Sequence, residues 1–86
     1  ADRLIEWEIA GFESFSAPVF ERLLAHDPEL VIIGTGAALR FPEPAVLRPL
    51  AAAAMGTEIM DSRAACRTYN ILTAEGRRVL AALLVE

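Results

Sequence analysis

Two stretches of this 86-residue chain hold residues whose types and spacing could grip an anion. In Gly34-Thr35-Gly36, followed by Arg40, two glycines let a ligand approach the backbone closely and leave N–H groups facing outward, as phosphate- and carboxylate-binding turns require. The third glycine of GxGxxG and the lysine of a P-loop are both missing, so no dinucleotide fingerprint is met. The competing reading makes these glycines a left-handed turn packed against a neighbouring loop. The second stretch is Asp61-Ser62-Arg63-Ala64-Ala65-Cys66-Arg67-Thr68-Tyr69-Asn70. On a helix, Arg63, Arg67 and Asn70 share a face with Cys66 beside it, while Ala64, Ala65, Thr68, Ile71 and Leu72 turn toward a sheet. Two arginines one turn apart repel, so a carboxylate should offset them. It could be Asp61 or Glu75 in a structural ion pair with Arg67, or the acid of a ligand or partner.

Other reactive side chains have weaker claims. Cys66 stands beside two arginines near a helix start, an environment that favours thiolate, yet a catalytic thiol needs a base, and the lone histidine, His26, ends a different helix. Cys66 is therefore expected as a small buried or half-buried side chain, and His26 as a helix-terminal residue. Tyr69 and Trp7 read as packing residues with polar tips. Paired carboxylates, a Ser-His-Asp arrangement and a metal-ligand cluster are all absent from the pattern, so no catalytic residue, metal or cofactor is expected.

The elements that position these residues follow from periodicity. Leu4-Ile5-Glu6-Trp7-Glu8-Ile9 alternates as a half-buried strand does, near a sheet edge or in a second layer. Ser14 or Ser16 caps a helix with Pro18 in its first turn and Phe15, Val19, Phe20, Leu23 and Leu24 at helical spacing. Asp27-Pro28 stops it. The β-branched run Glu29-Leu30-Val31-Ile32-Ile33-Gly34 predicts a central strand covered on both faces. After a loop, Pro42-Glu43-Pro44 is expected to start a second helix that continues to Met55, with Gly56 as its C-terminal cap. Residues 57–60 read as a strand. Asp61 or Ser62 caps a third helix over residues 63–74, Glu75-Gly76 closes it, and residues 77–85 read as a last strand rather than a helix. This alternation of strands and helices predicts an α/β domain with helices on both faces of a largely parallel sheet. Ligands of such sheets bind beyond the carboxyl ends of the strands, where both candidate stretches fall.

Composition narrows the function classes. Hydrophobic residues make up 55% of the chain and charged ones 23%, so it folds, and its length fits a single domain. The net charge is −4, and the eight basic residues are all arginines scattered along the chain, so neither nucleic acid nor an anionic membrane surface is an expected partner. The longest apolar runs, residues 50–55 and 79–85, are far short of the roughly 20 residues that cross a bilayer. One cysteine cannot form an intramolecular disulfide, which fits a reducing compartment.

The residues themselves carry a family resemblance. Pro28-Glu29-Leu30-Val31-Ile32-Ile33-Gly34-Thr35-Gly36, then Arg40-Phe41-Pro42, Glu58-Ile59-Met60-Asp61, and residues 64–72 with Glu75-Gly76-Arg77 resemble a small family of unknown function with an Mth-type domain. Its members include bacterial and archaeal stand-alone proteins, a mitochondrial respiratory complex I assembly factor and an adipogenesis-associated protein. The resemblance implies a three-layer α/β sandwich with a central mixed sheet and an additional N-terminal β-layer. Family members run to about 120 residues, so about thirty residues ahead of Ala1 are expected to cover one sheet face, in line with the limited burial a short chain achieves. Ile5, Trp7 and Ile9 are then expected to lack part of their cover.

The resemblance further implies a non-enzymatic protein-interaction or respiratory-complex assembly-factor-like role. A protein partner is expected and a second copy of the chain is possible. The place is the cytoplasm, or mitochondria in a eukaryote. Matched positions Gly34, Thr35, Gly36, Arg40, Asp61, Arg67, Thr68, Tyr69 and Asn70 form the expected surface cleft, between the loop of residues 34–40 and the helix start of residues 61–70. The alternative function is a small-molecule or anion-binding domain, or an enzyme not yet discovered. In it, loop amides and Arg67 hold the anion in the same cleft.

Overall fold

Among the described residues, four short strands and three helices alternate; the computed structural model describes residues 5–9 as backbone and residues 15–84 in full. The strands are β1 (Ile5–Ile9), β2 (Leu30–Gly34), β3 (Gly56–Met60) and β4 (Val79–Leu84). They form one sheet in the order β1-β4-β2-β3, and every described pairing is parallel. The cover of the Ile5, Trp7 and Ile9 side chains lies outside the described residues.

Parallel pairing explains the burial pattern. Every residue of β4 is buried, and β2 is buried from Val31 to Gly34, because both strands are flanked by neighbours and covered on both faces. Alternate side chains divide between two cores. Val31, Ile33, Leu80, Ala82 and Leu84 meet Phe15, Phe20, Leu23 and Leu50 on one face. Ile32, Val79, Ala81 and Leu83 meet Ala65 and Tyr69 on the other. The first face carries α1 (Ala17–Leu24) and α2 (Arg48–Ala52), and the second carries α3 (Ser62–Ala74). Handedness accounts for the switch: the chain moves outward from β2 to β3, then back to β4, and crossovers of one hand place oppositely directed connections on opposite faces. Phe20 and Leu23 are wholly buried, each stabilising the fold by ~2 kcal/mol.

Helix ends follow local chemistry. Ser16 occupies the N-cap of α1 without a side-chain cap bond, with proline in the first turn. Past its C-terminus, Asp27 adopts φ 55 and Pro28 is buried, which stops the helix where Asp27-Pro28 predicts. α3 begins at Asp61, whose Oδ1 accepts the Ala64 N–H at 2.9 Å.

The second helix differs from the expectation. Only Arg48–Ala52 is helical, and residues 44–47 are turns. Pro44 disfavours helical backbone in Glu43, and Pro49 is tolerated only in a first turn, which places the helix start at Arg48. Gly56 is not its cap. Ala54 takes the left-handed conformation, at φ 54, and Gly56 opens β3, where an added Cβ would lie 3.3 Å from Leu30 Cδ1.

At the amino edge of the sheet, an ionic clasp ties β2 to β4. The Arg78 N–H donates to Glu29 Oε1 at 2.9 Å, the Glu29 N–H donates to Arg78 O at 2.9 Å, and Arg77 Nε lies 3.5 Å from Glu29 Oε1. The Arg78 N–H, with help from the Arg77 and Arg78 charges, outweighs desolvation and holds the Glu29 carboxyl below its ordinary value.

Candidate functional site

At the opposite, carboxyl edge, the ends of β2, β3 and β4 and the first turns of α3 enclose an open cleft of about 850 Å³. Gly36 and Ala37 form one wall, the α3 side chains another, and Leu83 and Leu84 the apolar floor. Parallel strands bring their carboxyl ends to one edge, which is how residues so far apart in sequence meet.

Ser62 holds these parts together. Its Oγ accepts the Gly36 N–H at 2.8 Å and donates to Leu84 O at 2.9 Å, while its own N–H donates to Gly36 O at 2.9 Å. Gly34 permits this approach: a Cβ there would lie 2.8 Å from Leu83 Cδ2, 2.9 Å from Ser62 Oγ and 3.0 Å from Ser62 Cα. Gly36 stands at φ 91, a conformation that favours glycine.

Thr35 is a latch inside the loop. It is fully buried, its N–H donates to Met60 O at 2.9 Å, and its Oγ1 donates to Ala38 O at 2.8 Å while accepting the Arg40 N–H at 3.1 Å. The loop amides therefore serve the fold. Those of Thr35 and Gly36 point at Met60 O and Ser62 Oγ, not into the cleft, and the N–H groups of Ser62, Ala64 and Ala65 are taken by Gly36 O, Asp61 Oδ1 and Asp61 O. These five N–H groups of the loop and the helix start are spent within the protein and are not offered to a phosphate.

Four of the nine candidate residues line the cleft: Gly36, Asp61, Arg67 and Asn70. Gly34 and Thr35 lie buried beneath it, Tyr69 is packed at 3% exposure against the sheet, and Thr68 Oγ1 reaches Met60 Sδ at 3.5 Å. Arg40 is exposed on the loop beyond the lining. Leu83 and Leu84 belong to the site but not to the sequence-derived set; the rule that parallel strands end at one edge was the signal that could have added them. Arg63 and Cys66 also line the cleft, on the helical face that spacing predicts for Arg63, Arg67 and Asn70.

Two side chains sit differently from the expectation. Cys66 is exposed rather than buried, and Ile71 is 60% exposed rather than turned to the sheet. The reason is helix phase: Ala65 and Tyr69, four apart, take the buried stripe, with Leu72 partly buried beside it, which turns Cys66 and Ile71 outward. Nor is Arg67 paired with Asp61 or Glu75. Asp61 caps the helix, and among the described residues no ion pair forms to Arg63 or Arg67. His26, past α1 at the amino edge, stands at the other end of the sheet from Cys66. Among the described residues, no three of His, Cys, Asp or Glu are placed to hold a metal ion.

Fold and site together define an α/β domain with a parallel sheet and an open, arginine-lined cleft at its carboxyl edge. The chain belongs to the family described as protein of unknown function (DUF498/DUF598), whose model matches residues 1–84. It is similar to a crystal structure from Bordetella parapertussis, at TM-score 0.78 and 41% identity over 90% of this chain and 66% of that one. It also resembles a Mth938-like domain from Bordetella pertussis, at TM-score 0.74 and 32% identity over 90% of this chain and 64% of that one. Among sequence relatives, a "13 kDa major membrane protein" of Francisella tularensis is 32% identical over 92% of this chain and 66% of its own length. NADH dehydrogenase [ubiquinone] 1 alpha subcomplex assembly factor 3 of Bos taurus is 30% identical over 94% of this chain and 45% of its own. The chain thus spans about two thirds of the first relative and less than half of the second. No described helix is long and apolar enough to cross a membrane.

Proposed function

We propose that this chain is a non-enzymatic protein-interaction domain whose carboxyl-edge cleft docks a partner during maturation of a membrane-bound oxidoreductase of the respiratory NADH dehydrogenase kind. It would act in the cytoplasm, or in mitochondria in a eukaryote. The supporting observation is the similarity to assembly factor 3 across 94% of the chain. The cleft's chemistry agrees with docking. The Ser62 hydroxyl is engaged as donor and acceptor, Cys66 has no described histidine near it, the Asp61 carboxylate caps α3, and the rest of the lining is arginine, amide and apolar side chain. Of the nine residues matched to the family, Gly36, Asp61, Arg67 and Asn70 form the docking surface, Gly34, Thr35, Thr68 and Tyr69 support it, and Arg40 flanks it.

A photo-cross-linker attached to Cys66 tests this in cells. Adducts with oxidoreductase subunits or their assembly factors, absent when the linker sits at Ala52→Cys in a Cys66→Ser background on the opposite face, are the expected result. Equal capture from both positions, or no such adduct from Cys66, refutes the reading.

A further inference from the structure

Resting on that reading of the cleft, we propose that the segment it docks is an extended acidic strand of the pattern acid-apolar-acid, its two carboxylates held by Arg63 and Arg67. Both guanidinium groups belong to exposed side chains of one helix face, both line the same cleft, and neither has an ion-pair partner among the described residues. Two like charges one turn apart on a helix repel unless an anion lies between or against them. Asp61, the carboxylate nearest in sequence, is spent on the Ala64 N–H. On a chain of net charge −4, this arginine pair is local complementarity to an acidic partner, not a general attraction to polyanions.

Spacing selects the conformation. Residues four apart on a helix have Cβ atoms roughly 5–6 Å apart, and alternate residues of an extended strand point the same way about 6.6 Å apart, so two acids separated by one residue match the two arginines. The side chain between them turns the other way, toward Ala37, Leu83 and Leu84. A small anion fits less well, because the backbone N–H groups of Thr35, Gly36, Ser62, Ala64 and Ala65 already serve Met60 O, Ser62 Oγ, Gly36 O and Asp61. Arginine side chains remain, and their planar forks suit carboxylates presented by a partner chain.

The test uses the whole chain and fluorescent nonapeptides in anisotropy titrations. The alternating Leu-Glu peptide binds, its Leu-Gln twin binds at least about tenfold more weakly, and added salt weakens the former alone. Arg63→Gln with Arg67→Gln abolishes the difference between the two peptides. Arg22→Gln with Arg48→Gln, an equal charge change on α1 and α2, leaves it, and circular dichroism confirms that both variants are folded. Equal affinity for the two peptides, no binding of the acidic one, or binding unchanged by the Arg63/Arg67 variant overturns the proposal. So does thermal stabilisation by inorganic phosphate beyond matched chloride, lost with Arg63 and Arg67, when no peptide binds. Failure here with the Cys66 cross-links intact removes the acidic segment but not the docking function, whereas loss of the cross-links removes the function itself.

Discussion

Ser62 and Gly36 bond to each other twice: the Gly36 N–H donates to Ser62 Oγ at 2.8 Å and the Ser62 N–H donates to Gly36 O at 2.9 Å. With the third bond, from Ser62 Oγ to Leu84 O at 2.9 Å, one hydroxyl joins the ends of β2 and β4 to the start of α3. The cleft is built around this node. Ser62→Ala leaves the Gly36 N–H and Leu84 O without their partner and is expected to cost about 1–3 kcal/mol. Urea denaturation measures it, and a variant as stable as the parent sinks this account.

Glycine-to-alanine substitutions should rank by what each Cβ meets. Gly34→Ala drives a methyl against Leu83 and the Ser62 backbone and is expected to cost about 1–3 kcal/mol. Gly76→Ala meets no atom within 4 Å but is held at φ +83, so it costs ~1 kcal/mol from the backbone alone. Gly56→Ala, with one flexible leucine methyl nearby, is the mildest. Thermal melts of the three variants check the order, and a harmless Gly34→Ala contradicts the close approach of α3 to β2.

Thr35→Val keeps the buried volume but removes the hydroxyl that Ala38 and Arg40 share. A stability loss of about 1–3 kcal/mol is expected, with faster amide hydrogen exchange at Arg40, since the hydroxyl is the acceptor of that N–H. Unchanged exchange at Arg40 contradicts the latch.

The Glu29 clasp adds a pH dependence at the acid end. Its folded-state value lies below the ordinary 4.5, chiefly because the carboxylate accepts the Arg78 N–H. A depressed carboxyl contributes stability above its unfolded value, and that contribution is lost as pH falls through the folded value. Glu29→Gln should therefore be less stable than the parent near neutral pH, with the gap closing below 4.5. A gap that stays constant down to strongly acidic pH rules out the carboxylate as its source.

Exposure of Cys66 predicts that a thiol reagent modifies the native protein at a rate within about an order of magnitude of that for the unfolded chain. Stoichiometric thiol titration with and without denaturant measures both rates. Protection by a large factor would return Cys66 to the interior.

Much of the fold was legible because its signals are local. The β-branched run of β2, Asp61 ahead of α3, Asp27-Pro28 after α1 and the glycine turn before β4 each act over a few residues. Alternation then implies an α/β layer order. At the second helix two local rules compete: alanine-rich propensity extends it, while Pro44 and Pro49 shorten it to Arg48–Ala52. The exposure of Cys66 and Ile71 is not legible in the sequence because an apolar residue does not announce its helix phase; the stripe is chosen by which side chains meet β2 and β4.

By itself the sequence determined the element types, their order, the two candidate stretches and the arginine face of α3, all consequences of spacing along one chain. Tertiary structure decided how that chemistry is used. It brought Leu83 and Leu84 beneath residues 36 and 37, spent the loop and helix-start amides on Met60, Ser62, Gly36 and Asp61, and left Arg63 and Arg67 facing open space. Those outcomes depend on which strands become neighbours, and in a parallel sheet neighbouring strands are joined by long crossovers that no local pattern encodes.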